Sequence, residues 1–218
     1  LTGNNWSNAQ TTGAITVTTT GTYSVTVTDV SGCSATSTPT AVTVNSNPSA
    51  TTVTPSGATT FCDGGSVNLS SSQGTGNSWS TAETTQTITA TTSGAYSVTY
   101  TNANGCSALS APITVTVNAN PSVPTITAGG ATTFCDGGTV TLTSSEISGN
   151  TWSTTETTGS IVVNTSGNYT VMFTDGNGCF ATSVATVVTV NANPALPIVT
   201  PNGPTTICYG DMVTLSSS

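Results

Sequence analysis

The chain alternates between apolar and small or hydroxyl residues. In "AYSVTYT" (Ala95–Thr101), Tyr96, Val98 and Tyr100 fall on one side and Ser and Thr on the other. The same period of two runs through "SVNLSSS" with Val67 and Leu69, and through "PITVTVN" with Ile113, Val115 and Val117. Successive side chains of a strand point to opposite faces, so this alternation predicts half-buried strands. No window carries apolar residues at i, i+3, i+4 and i+7, the spacing of an amphipathic helix. "TTVTPSGATTFC" (Thr51–Cys62) predicts a strand broken near Pro55 and Gly57, and "QTITAT" places Ile88 inward. Between these runs stand "DGG", "QGTGN", "TSG" and "NANG", which read as turns and loops. Many short strands with regular turn signals predict an all-β sandwich.

The pattern repeats. Trp6, Trp79 and Trp152 stand 73 residues apart, and so do Tyr23, Tyr96 and Tyr169. Cys33, Cys106 and Cys179 keep the step, as do Cys62, Cys135 and Cys208, and Pro48, Pro121 and Pro194. A period shared by five kinds of landmark marks a tandem array. The expected layout is the C-terminal part of a repeat at 1–46, complete repeats at 47–119 and 120–192, and the N-terminal part of another at 193–218. The chain reads as a segment of a longer array. The joints "NSNPS", "NANPS" and "NANPA" are short and carry Pro, which limits bending.

The Trp and Tyr refine the fold class. A strand Trp followed later by a Tyr just after a Gly-bearing turn resembles the Trp and the tyrosine corner of immunoglobulin-like sandwiches. Two residues after the Tyr, where antibody domains carry Cys, stand Val25, Val98 and Val171. The expectation is tandem immunoglobulin-like β-sandwiches of 73 residues each in an extended array. Trp79, Tyr96, Val98 and Val115 belong in one core; Trp152, Tyr169, Val171 and Val190 belong in the next.

Composition narrows the function. The chain has no Lys, Arg or His against eight carboxylates, for a net charge of −8. Nucleic-acid binding rests on cations that neutralise phosphates, so no nucleic-acid partner is expected. Attraction to an anionic membrane surface lacks the same cations. Catalysis has no His or Lys as general base and no Arg to hold an oxyanion. Neither an enzyme nor a cofactor is expected. Thr makes up about a quarter of the chain and suits a pleated surface.

Six cysteines at two repeated positions, Cys33, Cys62, Cys106, Cys135, Cys179 and Cys208, predict structural disulfides and an oxidising, extracellular location. No C-x-x-C occurs, and without His a zinc site needs four thiolates. Two pairings are open. Within a repeat, Cys62 would join Cys106 and Cys135 would join Cys179, each closing a loop of about 45 residues, for roughly 4 kcal/mol in the chain-entropy model. If the two cysteines of a repeat sit at opposite poles, Cys62 would join Cys179 of the next repeat instead.

The elements C-x-G-x-x-V-x-L, W-S, S-G-x-Y-x-V and N-G-C, read from "FCDGGSVNLSSS" through "SWS" and "SGAYSVTYTNANGCSA", cover essentially the whole chain. Together they resemble the Ig-like and PKD-like repeats of Bacteroidota cell-surface proteins. Those belong to large adhesins and gliding-associated proteins exported by type IX secretion. "ICYGDMVTL" departs from the pattern, with Tyr209-Gly210-Asp211 in place of Asp-Gly-Gly. The resemblance implies secreted modules that space or display other domains.

Other candidate sites have a plainer reading. "DVSG" (Asp29–Gly32) and "DGNG" (Asp175–Gly178) could offer oxygens to calcium, but Asn102 takes that place in the middle repeat, and Gly and Asn suit a hairpin turn. Asp63 and Asp136 lack a second carboxylate and read as turn residues. The three Trp could stack on sugars, or fill a core. Thr16-Val17-Thr18 and Thr114-Val115-Thr116 resemble ice-binding arrays, or are the solvent faces of strands. Glycosylation sequons stand at Asn5, Asn68, Asn164 and Asn168. The expected role is a stalk or fibre of a cell-surface adhesin, with neighbouring repeats as partners, and lateral self-association as a variant. The alternative is a glycan-binding module using loops or Thr-rich faces.

Overall fold

The computed structural model describes residues 3–218. Every helix or strand among them is a β-strand. The chain divides into two compact units between Val117 and Asn118.

The first unit opens with five strands, β1 (Asn4–Trp6), β2 (Gly21–Tyr23), β3 (Val25–Thr28), β4 (Ser34–Thr36) and β5 (Thr40–Val42). They form a β1-β3-β4 sheet and a β2-β5 pair. Next come β6 (Val53–Pro55), β7 (Thr60–Cys62), β8 (Val67–Ser71), β9 (Asn77–Trp79), β10 (Thr87–Ala90), β11 (Gly94–Tyr96), β12 (Val98–Thr101), β13 (Ser107–Leu109) and β14 (Ile113–Asn118). These build three small sheets in the orders β10-β8-β6, β11-β14-β7 and β13-β12-β9.

The run "AYSVTYT" reads as one strand and is two. Tyr96 pairs with Ile113 of β14, whereas Val98 pairs with Trp79 of β9. The chain changes sheets at Ser97, and the Ser110 hydroxyl accepts the Val98 N–H at 3.0 Å. A strand that passes from one sheet to another makes a corner of the sandwich. It also lets Tyr96 and Val98 both face the same core.

The second unit repeats this plan with β15 (Ile126–Ala128), β16 (Thr133–Cys135), β17 (Val140–Ser144), β18 (Asn150–Trp152), β19 (Ser160–Val163), β20 (Gly167–Tyr169), β21 (Val171–Thr174), β22 (Phe180–Thr182) and β23 (Thr186–Asn191). The orders are β15-β17-β19, β16-β23-β20 and β18-β21-β22, with β16 and β23 parallel. β24 (Val199–Pro201) and β25 (Leu215–Ser217) follow as an antiparallel pair. The expected class holds: the protein is all-β, built of immunoglobulin-like sandwiches in tandem.

Each complete sandwich has one core. Val67, Leu69, Trp79, Ile88, Tyr96, Val98 and Val115 fill the first. Val140, Leu142, Trp152, Ile161, Tyr169, Val171 and Val188 fill the second. Val190 is only partly buried and packs on the margin of that core. The inner place expected for Val190 belongs to Val188, which has the register of Val115, each paired with the Gly that precedes the Tyr.

Candidate functional site

The recurring chemistry of the chain lies in four places: the Trp, the Tyr, the turn before the second Cys, and the cysteines. Trp79 is 3% exposed and Trp152 is 2% exposed. Each indole N–H donates to a backbone oxygen six residues on, Trp79 to Thr85 at 2.9 Å and Trp152 to Thr158 at 2.8 Å. A buried indole with its only donor satisfied is a packing element. No ring face is open to stack on a sugar at either position. Trp6 keeps the same hydrogen bond, to Thr12 at 2.9 Å, but is only half-buried.

The Tyr hydroxyls turn back on the chain. Tyr96 donates to the Thr92 carbonyl and Tyr169 to the Thr165 carbonyl, each at 2.9 Å, and Tyr23 donates to Thr19 at 2.8 Å. This is a tyrosine corner. The Gly two residues before the Tyr lies under its ring: a Cβ at Gly167 would come within 3.4 Å of it.

The turn at Asp29, Asn102 and Asp175 needs one side-chain oxygen. Asp175 Oδ1 accepts the N–H groups of Asn177 at 2.8 Å and Cys179 at 2.9 Å. Asn102 Oδ1 accepts those of Asn104 and Cys106, both at 3.0 Å. Asp29 serves Ser31 and Cys33 in the same way. An amide oxygen does this as well as a carboxylate, which is why Asn stands in the middle copy. Among the described residues, no three His, Cys, Asp or Glu side chains gather as a metal-binding group. Asp63 caps its own turn by accepting the Gly64 N–H at 3.1 Å.

A buried polar network escaped the sequence reading. Asn77 and Asn150 are buried two residues before each Trp. Ser71 donates to Asn77 Oδ1 at 2.7 Å, and Asn77 Nδ2 donates to the Gln73 carbonyl at 2.8 Å. Ser144, Asn150 and Glu146 repeat it at 2.9 and 2.7 Å. The signal was present, since Asn4, Asn77 and Asn150 also keep the 73-residue step. The network locks the loop between β8 and β9, and between β17 and β18.

The cysteines divide. Cys62 and Cys179 are disulfide-bonded, whereas Cys33, Cys106, Cys135 and Cys208 are free thiols. Pairing within a repeat, Cys62 with Cys106 and Cys135 with Cys179, is therefore corrected, because Cys106 and Cys135 are free. The geometry gives the reason. Cys135 ends β16 opposite Asn191, where β23 leaves its sandwich. Cys179 lies beside the segment that enters the same sandwich, its Sγ 4.0 Å from the Asn118 carbonyl oxygen. Cys106 lies 3.8 Å from the Asn45 carbonyl oxygen in the same manner. A disulfide needs Cα atoms about 4.4–6.8 Å apart, which opposite ends of a sandwich do not offer.

The remaining candidates face solvent. Thr16, Thr18, Thr114 and Thr116 are exposed, and so are Asn5, Asn68, Asn164 and Asn168.

No protein family and no curated protein matches the chain. Solved structures do. A 1.5-MDa bacterial ice-binding adhesin is similar at 17% identity and a TM-score of 0.35, over 79% of this chain and 74% of that one. The ICAM-5 D1–D4 ectodomain fragment is similar at 13% identity and a TM-score of 0.39, over 78% of this chain and 56% of that one. Fibronectin(III)-like modules of Clostridium thermocellum CbhA are similar at 19% identity and a TM-score of 0.30, over 64% of this chain and 94% of that one.

Proposed function

We propose that the chain is a run of structural repeats from a secreted, cell-surface adhesin or filament, spacing and displaying other domains. One observation carries this reading. The side chains that recur with the repeat, and that elsewhere would form a site, are spent inside the fold: the indole N–H, the phenol, the turn carboxylate and the buried Asn each have an internal hydrogen-bond partner. The bonded state of Cys62 and Cys179 fits an oxidising compartment. The quoted repeat motifs support an origin among the Bacteroidota surface repeats that they resemble. Residues 47–119 and 120–192 are taken as the two complete modules.

Within that reading, the cysteines serve neighbouring repeats. The pairing proposed is the one across repeats, Cys62 with Cys179, a step of 117 residues. The same step from Cys33, Cys106, Cys135 or Cys208 reaches no cysteine of this chain, in accord with their free thiols.

Pulling single 218-residue chains tests the spacer role. Two force-resisting unfolding events are expected, one per complete module, with longer extensions after reduction. A glycan array on the same protein tests the alternative. Glycan binding abolished by changes in the exposed loops, with no mechanical resistance, would put the binding-module reading in its place.

A further inference from the structure

β22 is the outer strand of the β18-β21-β22 sheet, and the chain runs on through Ser183 and Val184 before β23 begins. Its inner side is fixed. The Ser183 N–H donates to the Val171 carbonyl at 2.9 Å, and the Asp175 N–H to the Cys179 carbonyl at 2.8 Å. Hydrogen-bonded pairs alternate along an antiparallel ladder, so Cys179, Ala181 and Ser183 turn their backbone groups to β21. Phe180, Thr182 and Val184 therefore turn their N–H and C=O groups outward. On that side, among the described residues, β22 pairs with no further strand.

The side chains of this edge agree independently. Phe180 is 59% exposed and Val184 84%. Beside Val184 opens a groove of about 250 Å³, lined by Val123, Pro124, Ile126 and Ala185 among others. No ionised side chain occurs in residues 176–210. Edge strands are usually guarded by Lys, Pro or an inward charge, and this one has none of them. The matching edge of residues 47–119, β13, is different. It carries Ser107 and Ala111 in place of Phe180 and Val184, and Pro112 in place of Ala185. Ala50 stands there for Val123. The apolar, proline-free edge thus belongs to one of the two sandwiches.

We propose that β22 is a pairing edge for β22 of a second copy of this chain, antiparallel and with the two-fold axis at Thr182. The outward backbone groups set the register: Thr182 meets Thr182, and Phe180 meets Val184, twice by symmetry. Alternate residues of a strand share a face, so Phe180 and Val184 meet as an aromatic and a β-branched side chain, a cross-strand pair that favours association. Each Phe180 then stands at the mouth of the groove beside the other copy's Val184. This self-complementary register selects a second copy over a partner of another sequence, since the edge offers no charge to choose one by. The two Asp175 fall at opposite ends of the joined strands, so charge opposes the contact little. An isologous contact closes at the dimer. The inference does not rest on the spacer role.

Sedimentation velocity on the 218-residue chain tests it, with Cys33, Cys106, Cys135 and Cys208 changed to Ser so that thiol crosslinks do not contribute. Mean mass should rise with concentration to twice the monomer and no further. Phe180→Ser with Val184→Ala gives this edge the residues that positions 107 and 111 carry in the neighbouring sandwich, so the fold is kept and the dimer should be lost. Thr182→Pro removes the outward N–H at the two-fold, a change that an edge strand tolerates, and should also leave a monomer. In the four-serine chain, Thr182→Cys should crosslink two copies on mild oxidation, because residues facing each other in a hydrogen-bonded pair have Cα atoms about 5.5 Å apart. Val162→Cys, exposed on β19 of another sheet, should not. A parent chain that stays monomeric at every concentration would overturn the proposal. So would growth beyond the dimer, variants that associate as the parent does, or crosslinking through position 162 rather than 182.

Discussion

Thr155 sits at φ 77°, a left-handed backbone that a β-branched residue tolerates poorly. Ala9 and Ala82 hold the matching places at 67° and 75°. The turn requires it, because the Thr155 N–H donates to the Trp152 carbonyl at 2.8 Å. Thr155→Gly should therefore stabilise the second unit by up to about 1 kcal/mol, the strain released less the extra freedom of Gly in the unfolded chain. Calorimetry on the parent and the variant checks it, and a lower melting temperature would contradict it. Gly76 is the opposite case. Its φ is 74° and an added Cβ would lie 2.5 Å from the Thr101 carbonyl oxygen. Gly76→Ala should destabilise by about 2 kcal/mol or more, from strain and the displaced backbone together. Tyr169→Phe removes the donor to Thr165 and should cost about 1 kcal/mol.

At the scale of elements, β17 is the spine of its sandwich, paired on both sides and buried at alternate residues. Leu142→Ala should cost about 2–5 kcal/mol, as for a fully enclosed leucine. Asn150→Ala acts through polarity, because it leaves the buried Ser144 hydroxyl without its acceptor. It should cost about 1–3 kcal/mol, and Asn4→Ala, where the Asn is only partly buried, much less. Denaturant melts of the three variants would decide; equal losses for Asn150→Ala and Asn4→Ala would remove the network from the account. The alternation that marks β8, β14 and their counterparts was plain in the sequence. The change of sheet at Ser97 was not, since Tyr96 and Val98 keep the period of two on both sides of it.

For the whole molecule, the cysteines and the charge make the testable statements. Peptide mapping without reduction should find Cys62 linked to Cys179, with Cys33, Cys106, Cys135 and Cys208 open to alkylation. A Cys62–Cys106 peptide would refute the pairing across repeats. Reduction should lower the midpoint of thermal unfolding. Trypsin should leave the chain intact even when unfolded, because the protease needs Lys or Arg and the chain has neither.

The sequence by itself determined the class, the repeat and most of the inner residues. Those follow from local rules: a period of two, turn residues at fixed places, and landmarks that return every 73 residues. It also supplied the corner Tyr, whose acceptor is only four residues away in the chain. Tertiary structure decided what depends on distant partners. Val188 is enclosed while Val190, two residues on and on the same face, lies at the margin of the core, because Val188 sits opposite Gly167 of β20 and Val190 opposite Phe134 of β16. Cys135 is free of Cys179 because the sandwich holds them at its two ends, however short the intervening loop. Trp6 lies half-open where Trp79 is closed, although their neighbours in sequence are alike. Burial is a property of the strands that arrive from elsewhere, as β6, β7 and β8 do for Trp79.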